Sequence, residues 1–248
     1  MKYSTRKKLA YLFKARHRRG HGIHSPFLFR LITEVIENKG YFSAWPILTA
    51  AEENVRNMLK IVDSTTFQKL YGTKTGIDCQ SARKLHLLSG KFDRLIFRLV
   101  NEFQSGSLSF YGSTFGVTLM AMALADRRVR LVAQVENGHY RSFCRRLIEV
   151  YDIENIDLSG AGDVVASDVV VVQNPLDPDE CSRVLAQIVA QPYDGVIILC
   201  GIHASAEMEA VWKRYQKEQQ IRISLDLFEI GIFICKKGLQ KEGFVLRF

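Results

Sequence analysis

The sequence predicts a doubly wound α/β fold with a helical extension before it and an antiparallel hairpin at its end. Three observations carry this expectation. From about residue 107, short β-rich runs alternate with helical patterns, as in a parallel sheet covered on both faces. Over the first hundred residues apolar positions recur at helical spacing and no run reads as a strand. Near the end, Ile221–Leu227 and Ile230–Lys236 are separated by too little chain for a crossover, so they should pair antiparallel.

The elements follow in order. Residues 4–19 form a basic helix with Leu9, Leu12, Phe13 and Arg16 on neighbouring turns, interrupted by Gly20-His21-Gly22. Ser25 reads as an N-cap and Pro26 as a first helical residue. Behind them Phe27, Leu28, Leu31, Ile32, Val35 and Ile36 make an apolar face that stops by Gly40. Further helices are expected over 48–62, 79–89 and 91–104, the last with Phe92, Leu95, Ile96, Leu99 and Phe103 on one side. The expected strands are Ser107–Tyr111, Val129–Val135, Asn155–Leu158, Asp168–Gln173 and Gly195–Cys200. Helices over 114–125, 138–151, 178–190 and 205–218 alternate with them. Phe244–Phe248 is either an edge strand or a surface segment. This divides the chain into an extension over 1–104 and an α/β domain over 105–248.

Composition bounds the function. With 248 residues, 47% apolar and 24% charged, the chain is long enough for a large core, and it is not a disordered, collagen-like or disulfide-scaffold sequence. The longest apolar runs, Val169–Val172 and Val196–Cys200, fall far short of the roughly 20 residues of a membrane-spanning helix. No signal-peptide pattern is present. The five cysteines (79, 144, 181, 200 and 235) form no CxxC and read as reduced thiols of a cytoplasmic protein. Nine of the 34 Lys and Arg, and none of the 26 acids, fall in residues 1–30. That arm carries +9 and the rest of the chain −1, so an anionic partner of the arm is expected if the net charge has a use: RNA, DNA or an anionic membrane. The bland alternative is a solvated basic helix; an organelle presequence has similar composition.

The segment with most chemistry is Ser109-Phe110-Tyr111-Gly112-Ser113-Thr114-Phe115-Gly116, between the first strand and its helix. Gly112 allows a tight turn, Gly116 allows close approach of a ligand or of the sheet, and the helix N-terminus offers N–H groups to an anion. Glu136 follows the second strand, where a doubly wound domain holds ribose hydroxyls. The loop is neither G-x-G-x-x-G nor a phosphate-binding G-K-S/T loop, so a cofactor with a ribose and no phosphate fits better: S-adenosylmethionine. The alternative is that the two glycines only make a strand-to-helix turn.

Two further stretches, Arg19-Gly20-His21-Gly22-Ile23-His24-Ser25-Pro26-Phe27 near the start, and Ser205 to Trp212 with Asp226-Leu227-Phe228-Glu229-Ile230-Gly231 near the end, make the chain resemble a known family. It is similar to bacterial class I S-adenosylmethionine-dependent methyltransferase-like proteins, from about residue 15 onward. The resemblance implies a Rossmann-like seven-stranded methyltransferase fold of order 3-2-1-4-5-7-6 with an antiparallel β6-β7 hairpin. It implies the cofactor at the carboxyl ends of strands 1 and 2, on Gly112, Ser113, Gly116, Glu136 and Asn137. The substrate, a small molecule or a macromolecule, and the oligomeric state stay open, and no residue stands out as a catalytic base.

Departures from the family pattern matter as much. Phe110 stands where the family usually has an acid for the methionine ammonium. Gln173-Asn174 replaces an Asp-Gly pair, and Cys200-Gly201 replaces paired acids. This favours impaired transfer, or a catalytically inactive member that binds a ligand or a partner. Asp177, Asp179 and Glu180 either substitute for the lost acids or form a helix cap over Asp177-Pro178-Asp179-Glu180. His17, His21 and His24 make a zinc site, an anion cleft or a structural junction; the adjacent arginines disfavour a cation, and no metal is expected. Cys200 near His203 is either a nucleophile or a buried small apolar residue. Trp212 and Tyr215 read as packing residues. A nucleic-acid-associated protein led by residues 1–30 is the third function class.

Overall fold

The structure, a computed structural model, describes residues 3–15, 22–61, 66, 90–160, 162–173 and 177–248. The helix expected over 79–89, the segment from Arg16 to His21, Asn174 and Cys79 lie outside the described residues. By contacts the chain forms two compact units, Met1–Gly40 with Val164–Phe248, and Tyr41–Asp163.

The sheet has eight strands in the order β3-β2-β1-β4-β5-β7-β6-β8. The expected order of seven is present, with the β6–β7 pair antiparallel. The eighth strand, β8 (Glu242–Val245), takes the first of the two alternatives for the end of the chain, an edge strand, but shares only Phe244 and Val245 with the expected Phe244–Phe248; it pairs parallel to β6 (Ile223–Asp226).

The unit Tyr41–Asp163 begins with two helices, α3 (Trp45–Ile61) and α4 (Gly90–Phe103). Phe42, Trp45 and Phe97 join them through ring contacts of 4.8 to 5.2 Å. Then come β1 (Leu108–Gly112), α5 (Val117–Ala125), β2 (Leu131–Gln134), α6 (Gly138–Val150) and β3 (Ile156–Ser159). The three strands are parallel, with Leu108 beside Leu131 and Leu131 beside Ile156. Helix α5, Val-Thr-Leu-Met-Ala-Met-Ala-Leu-Ala, is buried over Val117–Ala123 because it is apolar on every side, the pattern of a helix packed all round. Strand β3 is only partly covered, as suits a sheet edge.

The second unit opens with α1 (Tyr3–Lys14) and α2 (Pro26–Arg30). Ser25 caps α2 as expected, accepting from the Leu28 N–H. The helix then widens into one π turn over Leu31–Ile36, closed by the Glu37 N–H on the Ile32 carbonyl at 2.8 Å. The strands β4 (Val169–Gln173) and β5 (Val196–Cys200) are buried throughout, which their unbroken apolar runs require of central parallel strands. Between and after them lie α7 (Pro178–Val189) and α8 (Ala206–Tyr215). Strand β7 (Ile230–Ile234) runs antiparallel to β5 and β6. Trp212 and Tyr215 pack as foreseen. The Trp212 indole stacks on Phe233 at 4.2 Å and occupies the space where any Cβ at Gly231 would lie.

Candidate functional site

The carboxyl ends of β1 and β2 are neighbours, because the parallel register sets Tyr111 beside Gln134. Gly112 ends the first strand and Glu136 lies two residues beyond the second, so both stand at one edge of the sheet. This is the edge where open α/β sheets bind ligands.

The loop from Gly112 to Gly116 has its shape from three causes. Gly112 and Gly116 both adopt positive φ, 126° and 94°, a region that strains side-chain-bearing residues. The Thr114 hydroxyl accepts from the Gly116 N–H at 3.2 Å. The rear of the loop is then held by α6. Phe115, fully buried, meets Tyr140 at 5.0 Å and Phe143 at 5.3 Å. The Cys144 thiol donates to the Thr114 carbonyl at 3.2 Å, and burial pushes the acidity of that thiol further from neutral pH, so it stays protonated as a donor. A Cβ at Gly116 would lie 3.0 Å from Leu147 Cδ2 and 3.5 Å from Cys144 Cα. The close approach at Gly116 is therefore made by α6. Gly112 and Ser113 are half-buried, and no side chain caps α5 at Gly116.

After β2 the ladder continues for one bond, Val135 N–H to the Ser159 carbonyl at 2.9 Å. Glu136 is exposed. Asn137 caps α6; its side-chain oxygen accepts from the N–H groups of His139 and Tyr140 at 2.9 and 3.3 Å. Sequence reasoning missed Arg141. It lies one turn into α6, and its guanidinium donates back to the carbonyls of Val135 and Glu136 at 2.8 and 3.0 Å. Its guanidinium also fills the space that a side chain at Gly160 would need, with Nη1 2.7 Å from where a Cβ would stand. The only sequence signal was an arginine four residues after a cap.

The three places where the resemblance implies an acid are closed. The side chains of Phe110, Gln173 and Cys200 are each 0% exposed, and Gly201 is half-buried with φ of 75°. A carboxylate at any of the three would be stripped of water and would need a charged or hydrogen-bonding partner to remain ionised. Asp177 caps α7, accepting from the Glu180 N–H at 3.0 Å. Glu180 pairs with Arg183 at 2.5 Å.

The unit Met1–Gly40 with Val164–Phe248 holds a second polar cluster that sequence spacing did not reveal. His203 Nε2 lies 2.8 Å from Asp226 Oδ2, at the end of β6, and His203 Nδ1 lies 3.5 Å from Glu209 Oε2 on α8. Glu209 also pairs with Lys213 at 2.6 Å and with Lys7 of α1 at 2.8 Å. The imidazole stacks on Phe228 at 5.3 Å. Phe228 has φ of 71°, held by its N–H on Asp226 Oδ1 at 2.9 Å. Both ring nitrogens of His203 face carboxylates, so the arrangement ties the loop after β5 to β6 and α8. Among the described residues no group of three or more His, Cys, Asp or Glu side chains is placed to hold a metal ion.

No protein-family model and no curated protein sequence matches the chain. Solved structures do. The chain is similar to a methyltransferase of Podospora anserina, PaMTH1, solved with S-adenosylhomocysteine (SAH): 11% identity, 87% of this chain and 97% of that one covered, TM-score 0.58. It is similar to cofactor-bound Rv0187 from MTB at 10% identity, covering 86% and 95%, TM-score 0.52. It is also similar to a methyltransferase from Geobacter sulfurreducens at 14% identity, covering 79% and 91%, TM-score 0.50. At these identities the likeness establishes the fold, that of the class I methyltransferases.

Proposed function

We propose that the chain binds S-adenosylmethionine at the carboxyl edge of β1 and β2, and that its transfer activity toward a still unassigned substrate is impaired. The observation that carries this is the pairing of the Gly112–Gly116 loop with Glu136 at the ends of adjacent parallel strands. Gly112 and Ser113 would offer backbone groups to the cofactor, and Gly116 would set the helix that stands behind it. Glu136 would accept from the ribose hydroxyls, presented by the turn that Asn137 caps and Arg141 braces. Bound there, the cofactor supplies an electrophilic sulfonium methyl group. The chain's residues suit its nucleoside end better than its amino-acid end. Phe110, Gln173 and Cys200 carry no charge to pair with an ammonium, and all three are buried. The same observation favours a second reading, a catalytically inactive member of the fold that keeps the cleft for a ligand or a partner. The division into an extension over 1–104 and a domain over 105–248 is part of the first reading. The four described cysteines are buried thiols outside any disulfide, which supports a reducing, cytoplasmic setting.

Calorimetric titration with S-adenosylmethionine and SAH tests this, with Glu136→Ala as the control. Micromolar binding that the control loses supports the assignment. No heat at millimolar ligand from folded protein overturns it. Binding without methyl transfer across a panel of oxygen and nitrogen nucleophiles selects the second reading.

A further inference from the structure

Helix α1 is docked by one face and presents the other. On the docked face, Lys7 pairs with Glu209 at 2.8 Å, Tyr11 meets the Phe228 ring at 5.1 Å and Ala15, just past the helix, is buried in the same cluster. The Tyr11 hydroxyl donates to the Leu246 carbonyl. Lys7, Tyr11 and Ala15 lie four residues apart, on one side of a helix. Leu9, Leu12 and Phe13 follow the i, i+3, i+4 rule on the opposite side, and they are 52%, 45% and 80% exposed. They make up three of the eight large apolar side chains exposed among the described residues. Lys8 and Lys14, also exposed, flank them, and the sequence sets Arg6 before and Arg16, Arg18 and Arg19 after.

We infer that α1 is a membrane-surface anchor, whose outward Leu9, Leu12 and Phe13 enter the headgroup region of an anionic bilayer while the basic arm binds its phosphates. Two arguments choose this occupant. The arm holds nine cations and no acid, so its partner is anionic. An anionic partner that also accepts apolar side chains is a lipid surface; a nucleic-acid backbone offers Leu9 and Leu12 nothing. A second copy of the chain fits less well, since three side chains are far fewer than the roughly 20–30 residues a side of a stable protein interface. No helix among the described residues is long and apolar enough to cross a membrane, so the association is peripheral. The docked face matters because it keeps the apolar stripe turned outward before any membrane is met.

The test is co-sedimentation of the full chain with vesicles of phosphatidylglycerol and phosphatidylcholine, against phosphatidylcholine alone, at about 0.1 M salt. The variants are Leu9→Gln/Leu12→Gln/Phe13→Gln and Lys14→Glu, each checked for an unchanged thermal midpoint. The expected result is at least about tenfold tighter binding to the anionic vesicles, reduced about tenfold or more by the triple variant and less by the charge variant. Absence of vesicle binding overturns the inference. So does a triple variant that binds like the wild type, since the apolar face would then do nothing. Two other results also overturn it: poly-uridine RNA that displaces the protein from vesicles without loss of its own binding in the triple variant, and a dimer in solution that the triple variant abolishes.

Discussion

At the residue scale, Gly116 and Asp93 make the sharpest statements. Gly116 combines a positive φ with a neighbour closer than ordinary contact, Leu147 Cδ2 at 3.0 Å from where a Cβ would stand, so Gly116→Ala should lower stability by about 1–3 kcal/mol in urea unfolding and loosen the loop in front of α6. Asp93 on α4 is 1% exposed, and its Oδ1 accepts from the Thr118 hydroxyl of α5 at 2.9 Å. Its Oδ2 is buried with no hydrogen-bond partner. Burial first, with Glu52 adding to it, pushes the carboxyl up to about 7; the Thr118 bond, Arg94 and Arg56 pull the other way. The folded state therefore binds this proton more tightly than the unfolded chain does. Stability should fall as pH rises from about 4 to about 7, by about 1.4 kcal/mol per pH unit at most, and level off above. Asp93→Asn keeps the acceptor for Thr118 and removes the charge, so it should flatten that dependence in thermal melts at pH 5 and pH 8. An equal slope in the variant would assign the pH dependence to other groups.

At the scale of elements, helix ends separate two roles for the acids after β4. Asp177 caps α7 through the Glu180 N–H, with Pro178 at the first helical position. Asp177→Ala should cost about 1 kcal/mol of stability and leave the heat of SAH binding unchanged. A loss of binding with stability intact would instead make Asp177 a replacement for the missing acids. The α8–β7 contact is a matter of volume. Trp212 lies flat on Gly231 and stacks on Phe233, so Gly231→Ala should destabilise by about 1–3 kcal/mol through overpacking, read by the same unfolding transition.

At the scale of the whole molecule, the charge is uneven and α1 shows why that matters. Residues 1–30 carry +9 while the remainder is close to neutral. Lys7 is drawn into the carboxylate cluster of Glu209, and Lys8 lies over the Phe228 ring at 5.9 Å. Tyr11→Ala removes the ring contact and the bond to Leu246, so α1 should open more often and trypsin should cut within residues 2–14 about tenfold faster. The affinity for SAH should not change, since no residue of α1 belongs to the Gly112–Glu136 edge.

The sequence by itself determined what is local or periodic. The unbroken apolar runs of β4 and β5 were legible because a strand buried on both faces has no polar side to show. The caps at Ser25 and Asp177 were legible because donor and acceptor lie within three residues. The antiparallel hairpin was legible because a short connection permits no crossover. The glycine pair and Glu136 were readable as a candidate edge for the same reason: strand ends carry them. Tertiary structure alone decided which neighbour each group meets. Gly116 is approached by Leu147 and Cys144, about thirty residues on, and Arg141 reaches back to the strand end from inside a helix. His203, Glu209 and Asp226 converge from a loop, a helix and a strand whose spacing in sequence has no period. The apolar stripe of α1 was legible as residues on neighbouring turns, but periodicity marks a face without saying which way it points. Packing of Tyr11 against Phe228 decided that it points outward.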